Sequence, residues 1–259
     1  MIRVRLLDGP AEMLAAERLL SRVWGGGAVQ LDAATMRAFS HTGNYVAGAY
    51  RSEGDSEDLV GCAVGFFGPP DQRTLHSHIA GVDPDHAGRG IGLILKNHQR
   101  SWCLDQGVGS ITWTFDPAIA RNAFFNFGKL GVTAVSYLED FYGSLDDSLN
   151  LGSPSDRLLL RWDLTDPPPR PGPAGGQPLA HALALDAHGA PVVRPIEPDV
   201  DAVLISVPPD IERLRREDAE LAARWRFALR EVLAPYVNSE EWRVAGFMKQ
   251  GTYVMERSR

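Results

Sequence analysis

Two histidines, His76 and His78, stand two residues apart in an apolar segment that leads into a glycine-rich turn. Side chains two apart on a β-strand project to the same face, and an imidazole titrates near neutral pH. The pair can therefore take a proton from a reacting amine, directly or through water. Packing within a sheet is the alternative for both side chains. We predict no metal site, because no carboxylate or cysteine adjoins the pair to complete a ligand set.

The glycine-rich turn has the sequence HAGRGIG at residues 86–92, between a predicted strand and a predicted helix. Such a turn directs backbone N–H groups and the positive end of a helix dipole to one point, which suits a pyrophosphate. Glycines allow the close approach that this requires. The spacing fits neither a nucleoside triphosphatase loop nor a dinucleotide motif. A plain entry into the helix is the alternative interpretation.

Helix-like and strand-like segments alternate through the first half of the chain, which favours an α/β or α+β layer architecture. Apolar spacing and turn residues indicate the element types and their bounds. We predict helices at 10–23, 91–102 and 118–130, and strands at 44–50, 59–67, 75–82, 110–115 and 133–138.

A segment rich in proline and glycine, residues 165–178, follows a last predicted strand at 158–164. This composition is typical of a linker. We therefore predict a catalytic domain at 1–164, a linker at 165–178 and a smaller α/β subdomain at 179–259. Within that subdomain we expect a strand at 202–207, a helix at 209–233, and paired strands at 242–248 and 252–255.

The composition excludes several classes of protein. The 259 residues carry a net charge of −7, which disfavours general binding to nucleic acid. No apolar run approaches the roughly 20 residues of a membrane-spanning helix. The first residues do not resemble an export signal, so we expect a cytoplasmic protein. Two cysteines are too few for a disulfide framework.

The segment VDPDHAGRGIGLILK resembles the coenzyme A signature of the GNAT superfamily of acyltransferases, although Ala87 stands where that signature usually has Gln or Arg. The resemblance covers residues 1–164 by element order and is most specific from 76 to 163. A narrower group of predicted acetyltransferases carries SHxxxVxP, WTFDP, RNAxxNxxKLG, a Tyr-Gly pair and an Asp-Arg pair before the last strand. All of these occur here between Ser77 and Arg157.

The resemblance implies a GNAT fold, in which a mixed central sheet is flanked by helices, here with a smaller C-terminal α/β extension. It also implies acetyl-CoA or another acyl-CoA as co-substrate and no metal. Asn122 and Asn126 would contact the pantetheine arm. The pyrophosphate would be held at the end of the strand and in the turn, by Val82, Gly88, Arg89, Gly90, Ile91 and Gly92.

Acyl transfer from a thioester to an amine needs a proton removed from the ammonium and a proton supplied to the leaving thiolate. By resemblance, His76 and His78 would act as the base or proton relay. The tyrosine that protonates the thiolate in this family is replaced by Phe127. We expect Tyr142 to substitute, with Tyr137, water or the acceptor ammonium as alternatives.

The function we predict is N-acyl transfer from acetyl-CoA, or a larger donor such as succinyl-CoA, to a small amine. An amino acid acceptor would present a carboxylate, and Arg121 or Arg157 would hold it bidentately. Decarboxylation of an acyl-CoA, or binding of coenzyme A without catalysis, are the alternatives. The C-terminal part would complete the acceptor pocket or form the surface of a homodimer.

Overall fold

The computed structural model describes residues 1–25, 31–54, 56–143, 154–165, 179–197 and 199–258. Its contacts divide the chain into two compact units. The first consists mainly of Met1–Trp113, and the second mainly of Thr114–Asp146, Asn150–Trp162 and Asp166–Arg259. This division differs from the predicted boundary at 165–178. The three-part division stays a prediction, because residues 166–178 of that segment lie outside the described residues.

The first unit is a mixed sheet flanked by helices, as the sequence predicts. Neighbouring strands are antiparallel from β1 to β4, whereas β4 and β5 are parallel. The strands are β1 (Ile2–Leu6), β2 (Tyr45–Glu53), β3 (Ser56–Phe67), β4 (Thr74–Val82) and β5 (Ser110–Phe115), whose last two residues belong to the second unit. The helices are α1 (Pro10–Trp24), α2 (Ala33–His41) and α3 (Ile91–Asp105).

Helix α1 supplies one side of the first unit's core. Its buried residues, Met13, Ala16, Leu19 and Leu20, recur at steps of three and four and so form one face. They pack with Val46, Cys62 and Val64 of β2 and β3. Pro10 begins the helix and Gly25 ends it in the left-handed conformation.

Strand β4 contains a β-bulge at His78. Ile79 pairs with Val64 and Ser77 with Gly65, so His78 is an extra residue with no partner in β3. The bulge changes the face to which odd-numbered residues point. Before it, Ser77 contacts Lys96 of α3. After it, Ile79 belongs to the core cluster that α1 supplies.

The second unit contains a five-stranded mixed sheet and an antiparallel pair of strands. The sheet has the order β11-β12-β10-β8-β9, with β8 parallel to β10 and the other neighbours antiparallel. Its strands are β8 (Leu179–Leu185), β9 (Pro191–Val193), β10 (Ala202–Ser206), β11 (Trp242–Met248) and β12 (Thr252–Arg257). The pair is β6 (Thr133–Leu138) with β7 (Arg157–Asp163).

The helices of the second unit differ from those predicted. The expected helix at 118–130 is a short α-helix, α4 (Ala120–Ala123), followed by a π-helix at Phe124–Leu130. The expected helix at 209–233 is two helices, α5 (Ile211–Glu217) and α6 (Ala219–Val237). Asp218 separates them, because its extended backbone ends α5 and its carboxylate accepts from Leu221 N–H to begin α6.

A buried ion network holds α5 and α6 to the residue that follows β5. Arg226 donates to both carboxylate oxygens of Asp116, at 2.9 and 2.6 Å, and Arg215 donates at 2.5 Å. All three side chains are buried. Burial alone would raise the pKa of Asp116, but the two guanidinium groups outweigh it and hold that pKa well below its usual range.

None of the helices in the described residues is long and apolar enough to cross a bilayer.

Candidate functional site

The glycine-rich turn joins β4 to α3 in the first unit. Asp83 starts it by accepting from the N–H of Asp85 at 3.0 Å and by pairing with Arg22. Gly88 and Gly90 have φ of 76° and 79°, a conformation that side chains with a Cβ rarely adopt. Gly90 directly precedes the first residue of α3, and no side chain caps the helix there.

The turn leaves several backbone donors open. Among the described residues, no backbone hydrogen bond begins at the N–H of Gly88, Arg89 or Gly90. The first N–H groups of a helix also lack partners within it. A Cβ placed at Gly88, Gly90 or Gly92 would meet no atom within 4 Å. The space above these donors is therefore open to a ligand, and the α3 dipole favours an anion there.

The predicted histidine pair lies on β4 with both rings beside Phe66. The ring centroids of His76 and His78 are 6.4 Å apart. The centroid of the Phe66 ring lies 5.2 Å from that of His76 and 5.7 Å from that of His78. His78, the bulge residue, is exposed, whereas His76 is half-buried. His76 Nδ1 lies 3.3 Å from Thr112 Oγ1. The structure thus brings the two imidazoles together and leaves one of them accessible.

Both imidazoles favour the neutral form. Burial lowers the pKa of His76, and the positive charges of His78 and Lys96 lower it further. Although His78 is exposed, partial desolvation of its ring beside Phe66 lowers the pKa of this imidazole as well. Both groups are therefore free bases at neutral pH, as a proton acceptor must be.

A lysine that the sequence analysis did not single out lies on the other face of β4. Lys96 of α3 is only 7% exposed, and its Nζ donates to Ser77 Oγ at 2.9 Å and to Gln99 Oε1 at 3.3 Å. The same nitrogen lies 3.8 Å from the centroid of the Trp113 ring. Burial lowers the pKa of Lys96 to about 7. The apolar spacing that predicted α3 does not include Lys96, so it gave no sign of this burial.

Strands β4 and β5 stop pairing close to this lysine. Their parallel register runs from Thr74 with Ser110 to His76 with Thr112 and ends there. Ser77 and Trp113 are the next residues on the two strands, and Lys96 Nζ contacts both side chains. The ammonium group therefore lies where the two strands part.

In the second unit, the predicted proton donor and one predicted acceptor-binding residue are neighbours. Tyr142 is exposed, and its Oη is 3.1 Å from Thr114 Oγ1. The guanidinium of Arg157 lies 5.3 Å from the centroid of the Tyr142 ring. Ser155 Oγ accepts from the Tyr142 N–H at 2.8 Å and so fixes the turn that carries this tyrosine. Arg157, which is only 9% exposed, therefore packs against the ring of the exposed Tyr142.

The other predicted arginine is paired within the second unit. Arg121 donates through both terminal nitrogens to the carboxylate of Glu212. This bidentate pair raises the pKa of Arg121. Arg157 also has a partner, because its Nη1 donates to the carbonyl of Asp156 at 2.9 Å, so the role of either arginine toward an acceptor stays a prediction.

The two predicted asparagines occupy the α4 and π-helix segment. Asn122 is half-buried in α4, and Asn126 is buried in the π-helix. No hydrogen bond to either side chain occurs among the described residues. Because the π-helix has a wider turn, the four-residue spacing no longer places the two on one α-helical face. Their contact with a pantetheine arm stays a prediction.

Phe127, at the position of the expected tyrosine, is a core residue of the second unit. Its ring packs edge-on to Phe115 and Tyr253, with centroid distances of 6.3 and 5.9 Å. Tyr253 donates its hydroxyl to the carbonyl of Pro117 at 2.8 Å, and Tyr137 donates to Asp156 at 2.7 Å. These two buried tyrosines are already hydrogen-bonded within the protein.

Within the described ranges, no group of three or more His, Cys, Asp or Glu residues is arranged to hold a metal ion.

One family model matches part of the chain. Residues 15–129 match the model of the acetyltransferase (GNAT) family. The chain contains a GNAT domain. A search of curated protein sequences finds no match.

Solved GNAT structures share this fold at low sequence identity. A putative acetyltransferase from Acinetobacter baylyi ADP1 has a TM-score of 0.52 and 16% identity over 64% of this chain and 94% of its own. The ribosomal-protein-S18-alanine N-acetyltransferase from Escherichia coli has a TM-score of 0.50 and 14% identity over 64% of this chain and 96% of its own. A chain of the NatC complex bound to Gag peptide and CoA has a TM-score of 0.51 and 16% identity over 63% of this chain and 99% of its own.

The turn of this GNAT domain fits the phosphates of coenzyme A. The donors of residues 88–90 are open, and the neighbouring glycines leave room for close approach. The methyl group of Ala87 replaces the usual polar side chain, so only the backbone part of the cradle is retained here. Lys96 and the Asp116 network are the charged groups that sequence reasoning missed: Lys96 ends the segment VDPDHAGRGIGLILK and Asp116 belongs to WTFDP, but neither pattern shows which partners surround the side chain.

Proposed function

We propose that this protein is an acyl-CoA-dependent N-acyltransferase whose acceptor is the amine of a small molecule. One observation carries the proposal. Within the first unit, open backbone donors at the start of α3 follow directly on a strand that carries two neutral histidines. A bound acyl-CoA would supply an activated thioester, and the histidines would supply a base.

The chain's own residues would act as follows. The backbone of residues 88–92 and the N-terminus of α3 hold the phosphates. His78, the exposed imidazole, takes a proton from the acceptor ammonium, and His76 relays or shares that proton. The freed amine forms a C–N bond with the acyl carbon as the C–S bond breaks.

The acceptor class rests on Arg157. A primary amine that also bears a carboxylate, such as an amino acid, matches a guanidinium beside the ring of Tyr142. Desolvation lowers the pKa of the buried Arg157, which remains cationic. A small acceptor carboxylate there would gain a charge-assisted hydrogen bond in a site of low dielectric.

Binding of coenzyme A tests the first half of the proposal. At 100 times its dissociation constant, coenzyme A should stabilise the protein by about 2.7 kcal/mol in a thermal scan. Gly92→Ala adds a methyl group toward the open cradle and should weaken binding about tenfold without loss of stability, since Ala favours a helix. Gly109→Ala, also with open space at its Cβ, is the matched control.

Release of free thiol from acyl-CoA tests the second half. We expect release only when a small primary amine is present, and about 10²-fold less in His78→Asn. Release without amine would point to decarboxylation or hydrolysis instead. Tight binding without release under any amine would leave a coenzyme A-binding module and overturn the catalytic proposal.

A further inference from the structure

Lys96 is a buried cation whose contacts are all neutral. Nζ donates to a serine hydroxyl and a glutamine carbonyl and lies over an indole ring. Among the described residues, no carboxylate lies within ion-pair distance of it. A lysine is almost never this deeply buried unless an opposite charge accompanies it. Burial without a counter-charge is therefore a costly feature that calls for a function.

Polar groups around Lys96 are also incompletely satisfied. Gln99 is fully buried, and its Nε2 has no partner among the described residues, although its Oε1 accepts from Lys96. Ser110, three residues before Trp113 on β5, also has a buried hydroxyl with no partner among the described residues. Such unsatisfied donors usually mark a position where water or a ligand supplies the missing bond.

The position of Lys96 relates it to the proposed reaction. Its amine lies between Ser77 of β4 and Trp113 of β5, directly after the last paired residues of the two strands. Ser77 is flanked in sequence by the two histidines, whose rings lie on the other face of β4. Lys96 is also close enough to His76 for its charge to lower the pKa of that imidazole.

Here we propose that Lys96 is the catalytic acid of this site, donating its Nζ proton to the thiolate that leaves when the acyl group is transferred. This inference rests on the proposed function. One C–N bond forms and one C–S bond breaks. The sulfur receives the proton from the ammonium of Lys96, which becomes a neutral amine. The histidine pair takes up the proton of the acceptor ammonium. It then releases this proton to solvent or returns it to Lys96, which completes the proton balance.

The tyrosines of the second unit offer weaker donors. Phe127 has no proton to give, and the hydroxyls of Tyr137 and Tyr253 are buried and donated to other groups. Burial raises the pKa of both hydroxyls far from neutrality. An acid whose pKa lies near the working pH is the more effective donor. Tyr142 remains the competitor, and the experiment below includes it.

Few other titratable groups face Lys96. His76 on β4 and Cys103 on α3 are the two whose charges act on it or respond to it. Cys62 of β3 and Tyr45 of β2 adjoin Cys103, and burial raises the pKa of all three groups, so they are uncharged at neutral pH. On β1, Arg5 pairs with Glu12, and Arg3 is exposed.

The first measurement is an NMR titration of the lysine side chains, labelled with ¹³C at Cε, in the complete protein. The chain has three lysines, and the other two, Lys129 and Lys249, are exposed. We expect one resonance to titrate near pH 7 and to be absent from Lys96→Met. Coenzyme A should shift this resonance, whereas 3′-phospho-ADP, which has the phosphates but no thiol, should leave it in place.

The second measurement is the pH dependence of turnover. An acid works only while protonated, so kcat of the wild type should fall as pH rises through the pKa of Lys96. Lys96→Met should lower kcat about 10²-fold, leave KM for the acyl-CoA unchanged, and lose this alkaline limb. Lys249→Met should behave as the wild type.

The outcomes separate this inference from the proposed function. If coenzyme A stabilises the protein but does not move the Lys96 resonance, Lys96 is not at the sulfur and the inference is wrong, while the proposed function stands. A loss of the alkaline limb in Tyr142→Phe but not in Lys96→Met would transfer the role to Tyr142. If coenzyme A does not bind at all, both proposals are overturned.

Discussion

Lys96 in the first unit and Asp116 in the second are both buried charged groups, and their surroundings are opposite in kind. In the first unit Lys96 has only neutral partners. In the second unit Asp116 receives three hydrogen bonds from two arginines. Both charges are removed from water, but only Asp116 has counter-charges among the described residues.

The difference shows in how easily each group changes its protonation state. Burial lowers the pKa of Lys96 to about 7, so a small change in its surroundings shifts its charge near neutral pH. The arginines hold the pKa of Asp116 so low that it stays ionised throughout the physiological range. We conclude that the first charge can take part in proton transfer, whereas the second fixes α5 and α6 in place.

The largest effect is expected from Asp116→Asn. This change leaves the buried Arg215 and Arg226 without their countercharge, and breaking a buried ion pair costs about 3–5 kcal/mol. Urea unfolding followed by circular dichroism measures the loss. Asp8→Asn, at the exposed pair with Arg37, is the control and should leave the unfolding midpoint unchanged. If Asp116→Asn and Asp8→Asn lowered the free energy of unfolding equally, burial of the ion pair would not explain its contribution to stability.

Lys96→Met is expected to change stability in a pH-dependent way. The folded-state pKa of about 7 lies below the unfolded value near 10.4, so the unfolded chain binds more protons between these values. The contribution of Lys96 therefore becomes more favourable as pH rises from 7 to 10, by up to about 4 kcal/mol. This contribution is isolated by measuring the difference in unfolding free energy between wild type and Lys96→Met at pH 7 and at pH 10.

A smaller effect is expected from Ser77→Ala. This change removes an acceptor of the charged amine, and a hydrogen bond to a charged group contributes about 1.5–3 kcal/mol. The pKa of Lys96 should therefore fall by about one unit or more, as read from the lysine titration. Ser110→Ala removes a buried hydroxyl that has no partner among the described residues. It should leave that pKa unchanged, and a matching shift there would argue against a specific bond to Ser77.

The smallest effect is expected at the pair of Arg121 with Glu212, whose arginine side chain is 63% exposed. A double-mutant cycle with Arg121→Gln and Glu212→Gln should give a coupling of at most about 1 kcal/mol, because solvent screens the pair. A coupling as large as that of the Asp116 network would show that exposure is not what separates the two kinds of charge.

Local sequence signals predicted most of the strands and the glycine turn. The strands at 110–115 and 133–138 have the bounds that the sequence indicated, because each short run begins within two residues of a glycine and ends just before an acidic residue. Strand β1 and helix α2 were not predicted, and neither were β8 and β9. Strands β1 and β9 are only five and three residues long, and β1 is fixed by its pairing with β2, which no local pattern records.

The charged part of the candidate site was harder to predict than its glycines. A glycine turn has a local sequence signature, but the burial of Lys96 depends on which residues of β4 and β5 face α3. The Asp116 network joins residues about 100 positions apart in the chain. The π-helix was missed because its composition is that of an ordinary α-helix.

The bulge at His78 has a consequence for how β4 tolerates mutation. In the sequence LHSHIAG the odd positions look equivalent, yet Ser77 faces the polar side chain of Lys96 and Ile79 faces the apolar core beside α1. A saturation scan of this strand would therefore favour polar residues at position 77 and apolar residues at position 79, with only the codon of His78 between them. Deleting that codon would remove the bulge and the exposed imidazole, but Ser77 and the isoleucine would become adjacent and would therefore stay on opposite faces of the sheet.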